Sequence, residues 1–304
     1  MKRRRKNGRL FVASFGLTVA VLVVLLVALL VVPPTFVVPS RSIPTTLPSY
    51  PVSWTRYVPS NVLTVSVVNY TMIRHLNSSA VPADDLLDLT NPRENLTSAM
   101  VNALVVASFS TPNGTASVIY LTAQGFSQFA GPLEKAYSQV LGSKPEFYYT
   151  SAQEGNASQA GWLALVPSGN IVAFAFGASP AREAIDLCLE AANGTATSIL
   201  QRSDIRQVLY ILNGTQNHLS FSVQDFPGLV STGNLTALSV DDAGTTIHVS
   251  YVVEFKDSAT AKSQEGYMRD NYLTAVSFTQ YDRFLEALES QPFAQLQYAV
   301  RLVG

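Results

Sequence analysis

The sequence has very few of the residue types that build demanding catalytic sites. Cys188 is its only cysteine, so no intramolecular disulfide can form. It has three histidines, His75, His218 and His248, and only 13% of its residues are charged. It contains no G-x-S-x-G, H-E-x-x-H, Walker or G-x-G-x-x-G motif. These absences argue against the common hydrolase and nucleotide-binding classes, and the missing disulfide argues against a eukaryotic exported domain.

Acidic residues are absent from the N-terminal tail, residues 1–9. The tail holds six of the 20 basic residues and none of the 21 acidic ones, so the remaining chain carries 14 basic against 21 acidic residues, a formal charge of −7. A mildly acidic body should not attract nucleic acid through a general positive field. We therefore expect no nucleic-acid partner.

Residues 10–32, LFVASFGLTVAVLVVLLVALLVV, form one long apolar run without a charge. Crossing the hydrocarbon core of a bilayer takes about 20 apolar helical residues. The sequence therefore predicts a transmembrane helix here, with the lipid bilayer as its partner. The basic tail before it places the N-terminus in the cytoplasm and the C-terminal domain outside the cell.

A cleaved signal peptide is the competing interpretation of the same segment. Signal peptides have apolar cores of about 7–15 residues and a small-x-small cleavage site. This run is longer, and VVPPTFVVPS offers no such site. We therefore favour an uncleaved signal-anchor.

Eight N-x-S/T acceptor triplets follow the predicted span. A chain rich in Asn, Ser and Thr can generate such triplets incidentally, but eight spread over the exported part indicate a glycoprotein surface. Together with the anchor, the low charge and the missing disulfides, they suggest an archaeal cell surface. The candidate sites are Asn69, Asn77, Asn95, Asn113, Asn156, Asn193, Asn213 and Asn234.

The segment 33–51 is rich in Pro, Ser and Thr and predicts an extended spacer. The remainder predicts an α+β fold, an extracytoplasmic α/β sandwich with helices on one face of a mainly antiparallel sheet. It reads as one large domain or as two tandem modules, 52–168 and 169–304. Both halves place Gly-Thr directly after a hairpin turn, at Gly114-Thr115 and Gly244-Thr245.

Periodicity predicts the individual elements. A hairpin is expected over 103–122, turning at Thr111-Pro112-Asn113-Gly114. Helices are expected at about 83–89, 131–141, 180–192, 203–212, 258–272 and 281–290. Strands are expected near 63–68, 146–150, 161–166, 171–175, 218–224, 235–240, 246–255 and 276–278, with a terminal strand over 296–302.

His218 and His248 fall on the polar parity of two alternating strands. If those strands are neighbours, both imidazoles and the Glu254 carboxylate share a sheet face, where they could bind a metal or act as acid and base. Two exposed polar residues on solvated strands are the simpler explanation. We therefore assign no catalytic, cofactor or metal residue.

Other reactive groups have structural explanations. In the acidic cluster Asp84, Asp85 and Asp88, the first two suit the first turn of a helix better than a calcium site. Asp241-Asp242 likewise suits a turn. Cys188 lies on the apolar stripe of the predicted helix 180–192, as a core residue would. Trp54 and Tyr57 are expected to pack on the first strand, although they could contact lipid or a partner.

The favoured function is a single-pass surface glycoprotein with a non-enzymatic binding, interaction or envelope role, with a protein partner at the cell surface. An extracytoplasmic hydrolase, with a site assembled from distant residues such as His218 and His248, is the first alternative. An accessory subunit of a membrane secretion or transport complex is the second.

Overall fold

The computed structural model describes residues 38–47, 53–76, 101–123, 139–144, 147–153, 160–166, 170–176, 179–212, 218–224, 233–271, 277–296 and 299. Pro39–Gly304 forms one compact unit. Within the described ranges, no helix is both long and apolar enough to span a bilayer. The predicted span 10–32 lies outside these ranges, and so does the predicted helix 83–89.

The described residues form a mostly β structure with few helices, built on one 13-stranded mixed sheet. The strand order is β1-β12-β13-β11-β10-β9-β2-β3-β4-β8-β7-β6-β5. Every pairing is antiparallel except β1 with β12, which confirms a mainly antiparallel sheet. The strands are β1 Ser40–Arg41, β2 Val62–Asn69, β3 Val101–Thr111, β4 Gly114–Ala123, β5 Gln139–Lys144, β6 Phe147–Gln153, β7 Ala160–Val166, β8 Ile171–Phe176, β9 His218–Gln224, β10 Gly233–Asp242, β11 Thr246–Phe255, β12 Ser277–Tyr281 and β13 Phe284–Pro292.

The described residues include five α-helices and three short 3₁₀ helices, the latter at Ser53–Tyr57, Ile199–Gln201 and Phe293–Gln295. The periodicity predicted α2 and α3 almost to the residue, and 258–272 is confirmed as two short helices. The α-helices are α1 Tyr70–His75, α2 Ser179–Ala192, α3 Ser203–Ile211, α4 Ser258–Ser263 and α5 Glu265–Asn271.

The helices cover both faces of the sheet, so the prediction of one covered face is wrong. Val67 packs in a cluster with residues of α2 and α3, whereas the next residue, Val68, packs with α1. Successive side chains of a strand point to opposite faces. We call the side covered by α2 and α3 face A and the other side face B. Helices α4 and α5 lie on face B, because Val253 packs with them while Val252 packs in the face A cluster.

The hairpin 103–122 is confirmed as β3 and β4, with Thr111 paired to Gly114 across a two-residue turn. Local signals are sufficient here. Proline presets the backbone at the second turn position, and the strands on either side alternate between buried and more exposed residues.

The predicted helix at 281–290 is wrong: these residues end β12, form a turn and continue into β13. Apolar residues at positions 281, 284, 285 and 288 imitate a helical stripe. Their spacing has another cause, because β13 is buried on both faces. Phe284 packs in the face A cluster, and Leu285 packs with α4 and α5 on face B.

Two further predictions fail in part. Residues 139–141 of the predicted helix 131–141 belong to strand β5, and 131–138 lie outside the described ranges. The terminal strand 296–302 is wrong where it can be checked, since Leu296 and Ala299 are helical and buried against face B. The alternation of large apolar residues there did not reflect a strand.

The sheet continues through the predicted module boundary at residue 168. Strand β8, assigned to the second module, pairs with β4 and β7 of the first. The order is nonetheless pseudo-symmetric about the central β2–β9 pair, with β3, β4, β8, β7 on one side and β10, β11, β13, β12 on the other.

Candidate functional site

Polar side chains line face A of the sheet from β12 across to β9. Asp241 of β10 is the cross-strand partner of both His218 on β9 and His248 on β11. Ser239 pairs with Ser250 on the same face. We call this set the polar row: Tyr281, Glu286, Ser250, His248, Ser239, Asp241 and His218.

A β-bulge brings His218 beside Asp241. Cα partners shift between Val240 and Asp241, so that Leu219 is the extra residue on β9. Leu219 packs on face B, while His218 approaches the face A side chain of Phe221, with ring centroids 6.0 Å apart. Strict alternation along β9 would have placed the side chains of His218 and Phe221 on opposite faces of the sheet. The bulge instead brings both to face A.

His218 and Asp241 lie in contact at one end of the row. Nδ1 of His218 contacts Oδ1 of Asp241, and Ser239 Oγ donates to Asp241 Oδ2 at 3.2 Å. His218 is 6% exposed, and neither of its ring nitrogens has a hydrogen-bond partner among the described residues. A carboxylate that accepted a hydrogen bond from Nδ1 would leave the Nε2 lone pair free to accept one. This half of a general-base arrangement can bind a donor or take a proton.

A second connected group lies at the β12 end of the row. Arg41 Nη1 donates to Tyr281 Oη at 3.4 Å. Glu286 of β13 lies diagonally across from Tyr281 of β12 on one side and from Ser250 of β11 on the other. Burial raises the pKa of Glu286, and the negative charge of Asp241 raises it further, while Tyr281, Ser250 and Arg41 act in the opposite direction. Burial also raises the pKa of Tyr281. Burial thus favours the uncharged form of both side chains.

The carboxylate proposed from the sequence, Glu254, has a different role. It lies at the far end of β11 and pairs with Arg283, with Nη2 2.8 Å from Oε1. Arg283 also donates to Gln207 Oε1 of α3 at 3.3 Å. Glu254 therefore joins the sheet to α3 and lies away from the two imidazoles. The carboxylate that pairs with both histidines across the strands is Asp241, which was expected in a turn.

The remaining sequence candidates do not come together. His75 is exposed at the end of α1, and Asp84, Asp85 and Asp88 lie outside the described ranges. Asp242 ends β10 and accepts from Gly244 N at 2.8 Å. In the described part of the chain, no group of three or more His, Cys, Asp and Glu side chains could hold a metal ion.

Cys188 is buried on α2, which confirms its predicted core position. Its Sγ contacts Tyr120 Oη, and Tyr120 Oη donates to the carbonyl of Tyr57 at 3.1 Å. Burial raises the pKa of the Cys188 thiol to about 12. Tyr57 packs in the face A cluster as expected, while the side chain of Trp54 lies outside the described set.

The glycosylation candidates differ in exposure. Asn113 is exposed in the β3–β4 turn, where it contacts Glu183 of α2, and Asn193 is exposed just after α2. Asn69 is partly buried at the last position of β2, and its Oδ1 caps α1 by accepting from Met72 N at 3.1 Å. Asn77, Asn95, Asn156, Asn213 and the side chain of Asn234 lie outside the described set.

Sequence reasoning missed Glu286, Tyr281 and Arg41 as members of one group. Glu286 and Tyr281 were placed on or beside a helix, and Arg41 in a spacer. A carboxylate between apolar neighbours in a strand was the one signal that could have identified Glu286. The partnership of Asp241 with His218 depends on a bulge, for which the sequence carries no glycine or proline signal.

No known family model and no curated protein matches the sequence. Three solved structures resemble the fold in outline: crystal forms IV, I and III of TP0453. They share 8%, 10% and 9% identity with this chain, with TM-scores of 0.47, 0.47 and 0.48. Each match covers 82% of this chain, and 96%, 96% and 98% of the respective TP0453 chain. Similarity at this level carries no argument about function.

Proposed function

We propose that this chain is a single-pass, N-glycosylated cell-surface protein with a non-enzymatic binding, interaction or envelope role. Residues 10–32 anchor it, the basic tail stays in the cytoplasm, and the large sheet domain lies outside. The charge-free span and its basic flank support the anchor. The exposure of Asn113 and Asn193, each beside a turn, supports glycan attachment, because a bulky sugar needs a solvent-facing asparagine.

Protease protection in intact cells tests the topology. An epitope tag placed before Met1 should survive external protease, whereas a tag after Gly304 should be lost. A matched chain lacking residues 10–32 should leave the membrane fraction. Loss of the N-terminal tag in intact cells, or membrane retention without residues 10–32, would overturn the proposed anchor.

An extracytoplasmic hydrolase is the second candidate, and the His218–Asp241 pair favours it. A buried imidazole in contact with a carboxylate is a recurring part of hydrolytic sites. Turnover of p-nitrophenyl acetate by the purified protein, lost on His218→Gln but kept on His75→Gln, would support this activity. Equal turnover in both variants would count against it.

A further inference from the structure

Face B of the sheet carries a row of neutral polar side chains across five neighbouring strands, β10, β9, β2, β3 and β4. Thr64 lies on face B because the next residue, Val65, packs in the face A cluster. Each member of the row is the cross-strand partner of the next, and at about 4.8 Å between strands the row is about 19 Å long. We call it the hydroxyl row: Thr236, Gln224, Thr64, Ser108 and Ser117.

A second row runs parallel to the first, two residues away along each strand. It begins on β11 and combines apolar side chains with two serines. We call it the mixed row: Tyr251, Leu238, Ser222, Ser66, Val106 and Ile119. Neither row contains a charged side chain. The two rows therefore offer hydrogen-bond donors and acceptors beside apolar area.

Both rows keep contact with solvent although they lie in the middle of the sheet. On β2, Thr64 and Ser66 are half-buried, whereas Val65 between them is 1% exposed on face A. Ser117 of β4 is exposed, and its Oγ lies 2.8 Å from Ser108 Oγ of β3. The remaining exposure of these strands is therefore on face B.

Helices border this exposed part of face B on two sides. Helix α1 packs with Val68, which lies two residues beyond the mixed row on β2. Helices α4 and α5 pack with Val253, the cross-strand partner of Thr236. The hydroxyl row and the mixed row thus form a floor next to raised edges, the kind of concave surface on which ligands bind.

The chemistry of the two rows selects among classes of partner. Nucleic acid and anionic lipid are attracted by clustered Lys and Arg, and the rows contain neither. Serine is depleted in protein–protein interfaces, yet all but one member of the hydroxyl row is Ser or Thr. Hydroxyl and amide side chains both donate and accept hydrogen bonds, as the hydroxyls of a sugar do. A neutral carbohydrate therefore matches the surface better than these other classes.

We propose that the hydroxyl row and the mixed row bind a neutral oligosaccharide that lies across the strands. Its hydroxyls pair with the hydroxyl row, and its C–H faces pack on Leu238, Val106 and Ile119. Tyr251 supplies an aromatic side chain with a polar end at the β11 side. The inference rests on the proposed binding role and names its ligand class.

Saturation-transfer difference NMR of the full chain, in a detergent without a sugar group, tests this surface. The neutral probes are maltohexaose, cellohexaose, mannohexaose and chitohexaose at millimolar concentration, and hexagalacturonic acid is the charged probe. We expect saturation transfer to at least one neutral hexamer and none to the charged one. Only resonances of the free oligosaccharides are recorded, so glycans attached to the protein do not interfere.

Matched variants locate the binding on face B. Ser117→Arg places a long charged side chain in the hydroxyl row and should abolish the transfer. Ser290→Arg places the same side chain at an exposed position of β13, opposite His248 on face A, and should leave the affinity unchanged. Thr64→Val keeps the shape of the side chain but removes one hydroxyl, so it should lower the affinity by about twofold to tenfold.

The outcomes for the carbohydrate and for the anchor are separable. No transfer to any of the four neutral hexamers, transfer to the charged hexamer alone, or unchanged affinity in Ser117→Arg would overturn the carbohydrate surface. The solubilised chain presents face B whether or not residues 10–32 span a membrane. The anchor and the glycans are tested separately, by protease protection and by mass spectrometry of the native protein.

Discussion

The single thiol gives a direct probe of the contact between α2 and the sheet. Cys188 is 2% exposed, and burial raises its pKa from 9.0 to about 12. The thiolate is the reactive form. At pH 8, a pKa shift of this size lowers the thiolate population of Cys188 by about a thousandfold relative to the unfolded chain.

We therefore expect Ellman's reagent to modify the native protein at least about a thousandfold more slowly than the chain unfolded in guanidinium chloride. Cys188→Ser gives the blank, because no second thiol is present. Stopped-flow and hand-mixed absorbance measurements cover the two rates. A native rate within tenfold of the unfolded rate would show that the thiol is accessible and that α2 does not cover it as described.

Tyr120 tests the same contact from the other side. Tyr120→Phe removes the hydroxyl that contacts Cys188 and donates to the buried carbonyl of Tyr57. A buried acceptor left without its donor costs about 1–3 kcal/mol. Urea unfolding should therefore show a free energy of unfolding lower by that amount. Combining Tyr120→Phe with Cys188→Ala should cost less than the two single losses added, because the residues are in contact; full additivity would contradict the contact.

Three further predictions concern stability. Gly244 has φ +85°, so Gly244→Ala should lower the free energy of unfolding by about 1 kcal/mol, whereas Gly266→Ala in helix α5 should raise it slightly; equal effects would contradict the turn. The native-state pKa of Glu286 is raised, so its ionisation should make the unfolding free energy fall as the pH rises above about 4.5, and Glu286→Gln should remove that fall; a persistent slope would assign it to another group. Arg283→Met should cost about 2 kcal/mol by removing an ion-pair partner of the buried Glu254 carboxylate, while Arg182→Met at an exposed pair should cost under about 0.5 kcal/mol; similar costs would contradict the buried pairing.

Elements with local signals could be predicted from the sequence. Helix α2 begins at Ser179 before a proline, and Gly194, with φ +74°, follows its end. Both residues act through the backbone of their own segment, so no tertiary information is needed. The β3–β4 hairpin was predictable for the same reason.

Strand β13 shows where local reasoning stops. Burial on both faces removes the period-two pattern, and the turn before it uses Asp282 with φ +49°, without a glycine or proline to mark it. Periodicity alone does not distinguish a short strand buried on both sides from a helix. The choice depends on the neighbouring strands, which are distant in sequence or pair across an unmarked turn.

The candidate site depends even more on distant contacts. The two histidine strands are not neighbours; β10 lies between them and supplies Asp241. The side on which His218 lies is decided by a bulge that adds one residue to β9. Neither the strand order nor the bulge follows from residue spacing, so the sequence could indicate polar strands but not their arrangement.

The central proposal, an anchored and glycosylated surface protein, is tested most directly by mass spectrometry of the native protein. Intact-mass analysis and glycopeptide analysis report the N-terminus and the occupied asparagines together. The proposal predicts a chain that retains residues 1–32 and carries glycans at Asn113 and Asn193, which are exposed, whereas Asn69, the other candidate with a described side chain, is partly buried. A mature chain beginning near residue 33, or one with every acceptor asparagine unmodified, would contradict it.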